Sequence, residues 1–338
     1  VVDAGDVQIG AWDSAKRTFT ANTDANAGGS AVRVTAHLSE ARGNKLTMFF
    51  GSVLGTDSLE LAARAVAGRG GPPCVLALDP ALQPAMNVSN SIFEAVQCGI
   101  QVNSKGSPSF AADSKSTVTA TDICVGGSSN TGAGVTPTPR EYCIGKADPL
   151  LGLAGPPHDV CDHNWASYKK KTVTLDPGVY CGGLSITNGS DITLNEGTYV
   201  IKDGAFVVNG SRISGTGVTI FLTGVNSVMS VKTDAELDLV ASTAGDLKGM
   251  LIFQDRAFGG DHSLAGKATA NLHGVIYLPN GILYSNSDNE ITPDNSCTVI
   301  IAKGMSFSGA SSVKIDLSSK DCRRSLAGPY GRGVVLLD

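Results

Sequence analysis

The sequence predicts a mainly β protein whose larger part is a parallel β-helix, a solenoid, preceded by a small α+β module. Three observations carry that reading. Val173-Thr-Leu-Asp-Pro-Gly-Val-Tyr180 is answered nineteen residues later by Ile192-Thr-Leu-Asn-Glu-Gly-Thr-Tyr199, and Ile213-Ser-Gly-Thr-Gly-Val-Thr-Ile-Phe-Leu222 is a third version. Each copy reads strand, glycine corner, strand, with apolar residues alternating with Thr, Asn, Asp or Ser, the period of a strand with one buried and one wet face. A phrase of roughly twenty residues that cannot close a core alone must stack on its neighbours. Next, Ile252, Ile276 and Ile300 stand 24 apart, the spacing of an interior ladder with one step per coil. Last, 41 glycines and a charged fraction of only 17%, with many Ser, Thr and Val, suit corners and strands and weaken helices.

Residues 1–70 form the α+β module. Asp6-Val-Gln-Ile-Gly-Ala-Trp12 and Arg17-Thr-Phe-Thr20 predict a hairpin around Asp13-Ser14, and Ala31 to Leu38 alternates as a strand. Leu46 to Leu54 carries a helical apolar stripe ending at Gly55, a natural C-cap. Asp57 to Ala67 alternates again. The order is ββ and then a βαβ crossover, whose flanking strands should be parallel. Gly68-Arg-Gly-Gly-Pro-Pro73 is a cluster of breakers and reads as the linker.

Residues 71–322 carry the coils. Cys74-Val-Leu-Ala-Leu78, Cys98-Gly-Ile-Gln-Val102 and Asp122-Ile-Cys-Val125 recur at about 24, one turn around three faces. From about 126 to 170 the pattern breaks into a Pro-rich stretch, an excursion from the solenoid. Coils resume at Thr172 and run through Gly249 to Gln254, Gly274 to Leu278 and Thr298 to Ala302, with second-face strands such as Ala235 to Leu239, Thr269 to Leu272 and Val313 to Leu317 between them. Some nine coils at about 4.8 Å each make a rod roughly 40 Å long. The tail, 323–338, ends in Gly333-Val-Val-Leu-Leu-Asp338, an apolar strand that either covers an open solenoid end or joins the sheet of a neighbouring subunit.

Eight cysteines, scattered singly, fit disulfides formed in an oxidising compartment. Stacked positions pair Cys74 with Cys98, Cys297 with Cys322 and Cys124 with Cys181, the last across the excursion, leaving Cys143 and Cys161 to tie the excursion itself. His158-Asp-Val-Cys-Asp-His163 is the one metal-like cluster; a disulfide loop is the plainer reading, since a zinc site needs Cys161 unpaired and further ligands. His37, His262 and His273 are isolated and read as surface or core residues. Asp255 and Arg256, with Asp261 or Asp238 nearby, are the best candidates for carbohydrate chemistry, which needs convergent carboxylates; a corner salt bridge or turn cap explains the same pair. Asp191, Glu196, Asp238 and Asp316 are spread rather than gathered. Asn87, Asn188 and Asn209 head Asn-x-Ser sequons read here as corners, as is Asn280-Gly281. A net charge of −5 disfavours nucleic acid as a partner, and Lys169-Lys-Lys171 reads as a solvated loop or a docking patch. No apolar stretch reaches the eighteen or so residues of a membrane span, and no signal peptide is visible. An exported chain is expected to have had its targeting segment before Val1.

Ala31-Val-Arg-Val-Thr-Ala36, Phe49-Phe-Gly-Ser-Val-Leu-Gly-Thr-Asp-Ser-Leu59, Ala65-Val-Ala67, Cys74-Val-Leu-Ala-Leu-Asp-Pro80, Asp176-Pro-Gly-Val-Tyr-Cys-Gly-Gly183, Gly217-Val-Thr-Ile-Phe-Leu-Thr-Gly224 and Leu251-Ile-Phe-Gln-Asp-Arg256 together resemble the TadG-like proteins of bacterial Tad (Flp) pilus systems, over nearly the whole chain and in order. The resemblance implies export, a cell-surface, extracellular or periplasmic setting, and a part in pilus assembly, anchoring, tip formation or adhesion. It brings no catalytic residue, no cofactor and no metal. It implies other pilus or envelope proteins as partners, or further copies of the chain, and a membrane contact only through a segment not present in this chain. Right-handedness of the β-helix rests on this resemblance and on how other β-helices are built. A non-enzymatic structural protein is therefore expected. The alternatives are a self-assembling filament subunit joined by its terminal strands, and a carbohydrate-active β-helical enzyme or lectin-like adhesin, for which the two tryptophans supply few stacking platforms.

Overall fold

The computed structural model describes residues 3–13, 18–23, 31–47, 58–68, 73–291, 297–317 and 335–336. The protein is mainly β, and its chain divides into two compact units: Val1–Gly71 with Arg332–Asp338, and Pro72–Gly331.

The first unit holds a five-stranded antiparallel sheet in the order Thr18–Ala21, Val7–Asp13, Ala31–Leu38, Leu61–Gly68, Val335–Leu336. The predicted hairpin is present, with Asp13 opposite Thr18. The βαβ crossover is not. Ala31–Leu38 and Leu61–Gly68 pair antiparallel along their whole length, from Ala31 opposite Gly68 to Leu38 opposite Leu61. Alternation is the same for either direction, so direction is decided by the connection, and a short antiparallel pair, Leu46–Thr47 with Ser58–Leu59, turns the chain back. Leu46 and Thr47 are therefore strand where a helix was expected, and the rest of that stretch, 48–54, lies outside the described residues. The described residues contain two short 3-10 turns and no α-helix. The C-terminal strand, expected to cover a solenoid end or to join a neighbouring subunit, adds to this sheet as its outermost strand: Val335 lies opposite Gly68 and Leu336 opposite Ala67.

The second unit is a 24-stranded parallel sheet arranged as three ladders. The first ladder runs in space through His163–Lys169, Gly178–Thr187, Gly197–Lys202, Arg212–Thr223, Met250–Gln254, Thr269–Asn286, Thr298–Ser308, Pro73–Ala77, Gly99–Val102 and Ile123–Val125. The longer of these strands turn a corner and also serve the second or third ladder. Shorter strands complete the second, among them Phe206–Asn209, Met229–Lys232, His262–Ala265, Met86–Ser89, Phe110–Ala112 and Ser129–Thr131. Thr172–Leu175, Asp191–Leu194, Glu236–Ala241, Glu290–Ile291, Ser312–Asp316, Ile92–Val96, Thr117–Thr119 and Val135–Thr136 belong to the third.

The three expected isoleucines sit in one column. Ile220, Ile252, Ile276, Ile300, Val75, Ile100 and Ile123 are neighbours in register and at most 1% exposed. A parallel column in Phe93, Val313 and Ile291 fills the third ladder. Branched side chains stacked one tier apart exclude water along the whole interior, the main source of stability in a repeat structure.

Spatial order differs from chain order. The tiers from His163 to Asp316 stack in sequence, and the tier Pro73–Val96 then stacks on Thr298–Asp316, with Ile300 beside Val75, Met305 beside Met86 and Val313 beside Phe93. The chain thus lays down the last three tiers first. The stretch 137–162 then returns along the first ladder to begin the tier at His163. Ser129–Thr131, Val135–Thr136 and His163–Lys169 are strands within tiers, so the excursion is shorter than the 126–170 expected.

Candidate functional site

The returning segment forms a strap over the outer side of the first ladder, and each contact follows from what lies beneath. At its start Arg140 N donates to Ile123 O (2.8 Å), Val125 N to Arg140 O (2.8 Å) and Cys143 N to Val125 O (2.9 Å). The Arg140 guanidinium grips Asp122 through Nε (3.0 Å) and NH2 (2.6 Å). Lys146 N donates to Asn103 Oδ1 (2.8 Å), and Asn103 Nδ2 returns a bond to Lys146 O (2.7 Å). Further along, Gly155 lies where a Cβ would stand 2.6 Å from the Phe221 ring. Lys202 Nζ reaches His158 O (3.0 Å). The strap ends at Cys161, bonded to Cys181, having begun beside Cys143, bonded to Cys124.

The densest network is at mid-strap. Arg256 donates from Nε to the Tyr277 hydroxyl (2.9 Å), from NH1 to Leu153 O (2.7 Å) and from NH2 to Leu150 O. The Tyr277 hydroxyl in turn donates to Asp148 Oδ2. The guanidinium also lies 5.1 Å from the Tyr277 ring centre and 5.5 Å from that of Phe253, within cation–π range. Burial, together with the Asp148 carboxylate beside it, pushes the Tyr277 hydroxyl well above the usual tyrosine range, so it remains a donor. Leu150 is buried under the strap, while Tyr142, Ile144, Leu151 and Val160 on its other side are exposed.

Arg256 was predicted as half of a surface pair with Asp255, and the structure separates them. Asp255 accepts from Thr223 Oγ1 (2.7 Å) and from Ala257 N (2.9 Å), a strand-end tie and a turn cap. Asp261 accepts from Ile282 N (2.9 Å), on a different corner. Asp191, Glu196, Asp238 and Asp316 do not gather with them, and no group of three or more metal-ligating residues occurs among the described residues.

The cysteines are partly as expected. Cys74 and Cys98 are joined, with Cα atoms 5.6 Å apart. Cys297 is disulfide-bonded, and its expected partner Cys322 lies outside the described residues. The expected pairs Cys124–Cys181 and Cys143–Cys161 are wrong. They assumed that the tiers on either side of the excursion are neighbours, whereas Cys124 and Cys181 lie near opposite ends of the ladder; each instead fastens the nearer end of the strap. The metal reading of the 158–163 cluster fails with Cys161 in a disulfide. His163 stacks on Tyr180, ring centres 4.3 Å apart, and His158 Nδ1 lies 2.9 Å from Pro156 O.

Of the other predicted histidines, His262 is fully buried in the second ladder, beside Leu283. Its Nδ1 accepts from Met229 N (3.0 Å), while its Nε2 has no partner among the described residues, and burial lowers its pKa to about 4. His273 is also depressed by burial. Asn188 is a left-handed corner (φ 59°), but Asn87 lies within a strand. Asn87 helps line a shallow cleft of about 330 Å³ with Ser89, Ala111, Asp113, Asn130 and Thr131. Asp113 is already held by Ser89 Oγ, Asn90 N, Lys115 N and Ser116 Oγ, which keep its carboxyl far below the usual range and leave it a structural anion.

Sequence reasoning missed Asp148, Tyr277 and the strap's path. One partial signal was present, the unbroken apolar run Met250-Leu-Ile-Phe253, which marks a strand covered on both faces, as the structure has it, without saying what covers it.

Residues 2–67 match a family model described as Tad-like Flp pilus-assembly. That match falls within the N-terminal unit. Residues 158–320 match a second family model, described as a domain of unknown function. This second match opens where the strap ends and takes in the tiers from His163 to Asp316, leaving the Tad-like unit, the tiers of 73–136 and most of the strap outside it. No curated protein and no solved structure matches the chain. The Tad-like match and the disulfides both point to an extracytoplasmic setting. No helix among the described residues is long and apolar enough to cross a membrane.

Proposed function

We propose that the protein is a non-enzymatic structural component of a Tad (Flp) pilus system, TadG-like in role, working at the cell surface, in the periplasm or outside the cell in pilus assembly, anchoring, tip formation or adhesion. Its large unit we read as a right-handed β-helix, the three ladders being the three faces of successive coils. The observation that carries the reading is the Tad-like match at residues 2–67. The pair on which carbohydrate chemistry would have rested supports a scaffold better: Asp255 ties a corner and Arg256 clamps the strap. A filament joined by terminal strands is the second reading: Val335–Leu336 pairs with Leu61–Gly68 on one side and stands at the edge of its sheet.

The test is deletion of the gene in its own host, with complementation, and electron microscopy of the cells. Pili that are absent, fewer or detached, restored by the intact gene, are expected. Unchanged pilus number and unchanged surface attachment contradict the proposal.

A further inference from the structure

The two ends of the parallel sheet are unlike. At one end the outer edge of Ile123–Val125 is occupied by the start of the strap, through Arg140 and Cys143, and Ser129 donates from both N and Oγ to Glu141 Oε1 (2.7 Å each). At the other end, His163–Lys169 pairs only with Gly178–Thr187, and Thr172–Leu175 only with Asp191–Leu194; among the described residues nothing pairs with their outer side. An unpaired strand edge is a template for another strand, by main-chain hydrogen bonds that any sequence can supply.

Two features of this edge say what fits it. Trp165 is 78% exposed and holds a left-handed backbone, φ +53°, a conformation that costs a bulky residue about 1 kcal/mol or more. Its indole lies against Gly182, itself at φ +78°, where a Cβ would stand 2.6 Å from Trp165 Cδ2. The ring is thus seated on the neighbouring tier beside an open edge, with Val173 also exposed on that edge. Then Lys169, Lys170 and Lys171, all exposed, form the corner between the two edge strands, and the stretch 163–175 contains no Asp or Glu. Lysines on an edge oppose pairing between identical copies, since two such edges set three positive charges against three. They favour an acidic strand.

We propose that this outer edge takes an extended, acidic segment of a different protein as an added strand, with the Trp165 indole as its apolar anchor and Lys169 to Lys171 meeting its carboxylates. The proposal goes beyond the pilus reading and does not depend on it.

The experiment uses the full chain and two labelled eight-residue peptides, one alternating glutamate with valine, the other lysine with valine. Fluorescence anisotropy gives affinity, tryptophan emission reports the environment of Trp165, and sedimentation velocity gives the oligomeric state. The expected result is binding of the glutamate peptide at least about tenfold tighter than its lysine counterpart, weakened by salt, with a blue shift in emission that is lost in Trp165→Ala. Lys170→Glu should weaken it by about tenfold, while its far-ultraviolet circular dichroism stays that of the parent. Equal binding of the two peptides, no binding of either, or an affinity indifferent to Lys170→Glu overturns the proposal. So does a dimer that Trp165→Ala dissolves, which would give the edge to a second copy.

Discussion

At the scale of single residues, the side chains that matter most are polar groups in apolar surroundings, and His262 is the sharpest case. Its Nδ1 accepts a backbone proton from Met229, so the neutral ring carries its own proton on a buried Nε2, and a second proton would place a cation in the interior. The folded pKa, about 4, lies below the ordinary value of 6.5. The unfolded chain therefore binds the extra proton first as pH falls. The stabilisation is fully present above pH 6.5 and is lost on the way down to about 4, some 3 kcal/mol in all at 1.36 per unit. Urea unfolding at pH 7.5 and pH 4.5 checks this: His262→Gln, which can still accept from Met229 N, should lose about 2.5 kcal/mol less across that interval than the parent. Equal losses would show that His262 does not carry a buried-neutral penalty. The sequence marked His262 as a surface or core residue and no further, because an isolated histidine in an alternating strand shows its face only once register is fixed.

At the scale of elements, the strap is what distinguishes this sheet from a plain stack. It covers an apolar outer face that would otherwise meet water, and Arg256 satisfies two of its carbonyls from below. Arg256→Ala leaves the Leu150 and Leu153 carbonyls and the Tyr277 oxygen without that donor, and a loss of about 2–4 kcal/mol in unfolding free energy follows. Limited proteolysis of the native protein should then cut between Cys143 and Cys161 at a markedly higher rate. Unaltered protection there would mean that the two flanking disulfides hold the strap without the clamp. The strands were legible because period-two alternation and glycine corners are local signals, and the Cys74–Cys98 pair followed from them directly. The strap was not, because nothing local in a Pro-rich stretch says which of many similar tiers it crosses. In the first unit, likewise, alternation in Ala31–Leu38 and Leu61–Gly68 identified two strands but could not give their relative direction.

At the scale of the whole molecule, the account rests on tier order. Repeats that resemble one another offer equivalent edges, so sequence periodicity shows that tiers stack and leaves open which one meets which. The structure resolves the choice by closing Thr298–Ser308 onto Pro73–Ala77 and Met86–Ser89, an arrangement reached only by chain ends some 220 residues apart in sequence, as in the contact of Asn87 with Ser306, 219 residues away. Such distant closure also makes slow folding an expectation, since loop closure precedes the contacts that reward it. Engineered cysteine pairs in the full chain, read by non-reducing peptide mapping, test the order most directly. Asn87→Cys with Ser306→Cys should form a disulfide in high yield, while Asn130→Cys with Ser167→Cys, neighbours only if tiers followed the chain, should remain reduced. The reverse outcome, a bond between positions 130 and 167 and none between 87 and 306, would contradict the tier order and with it the strap.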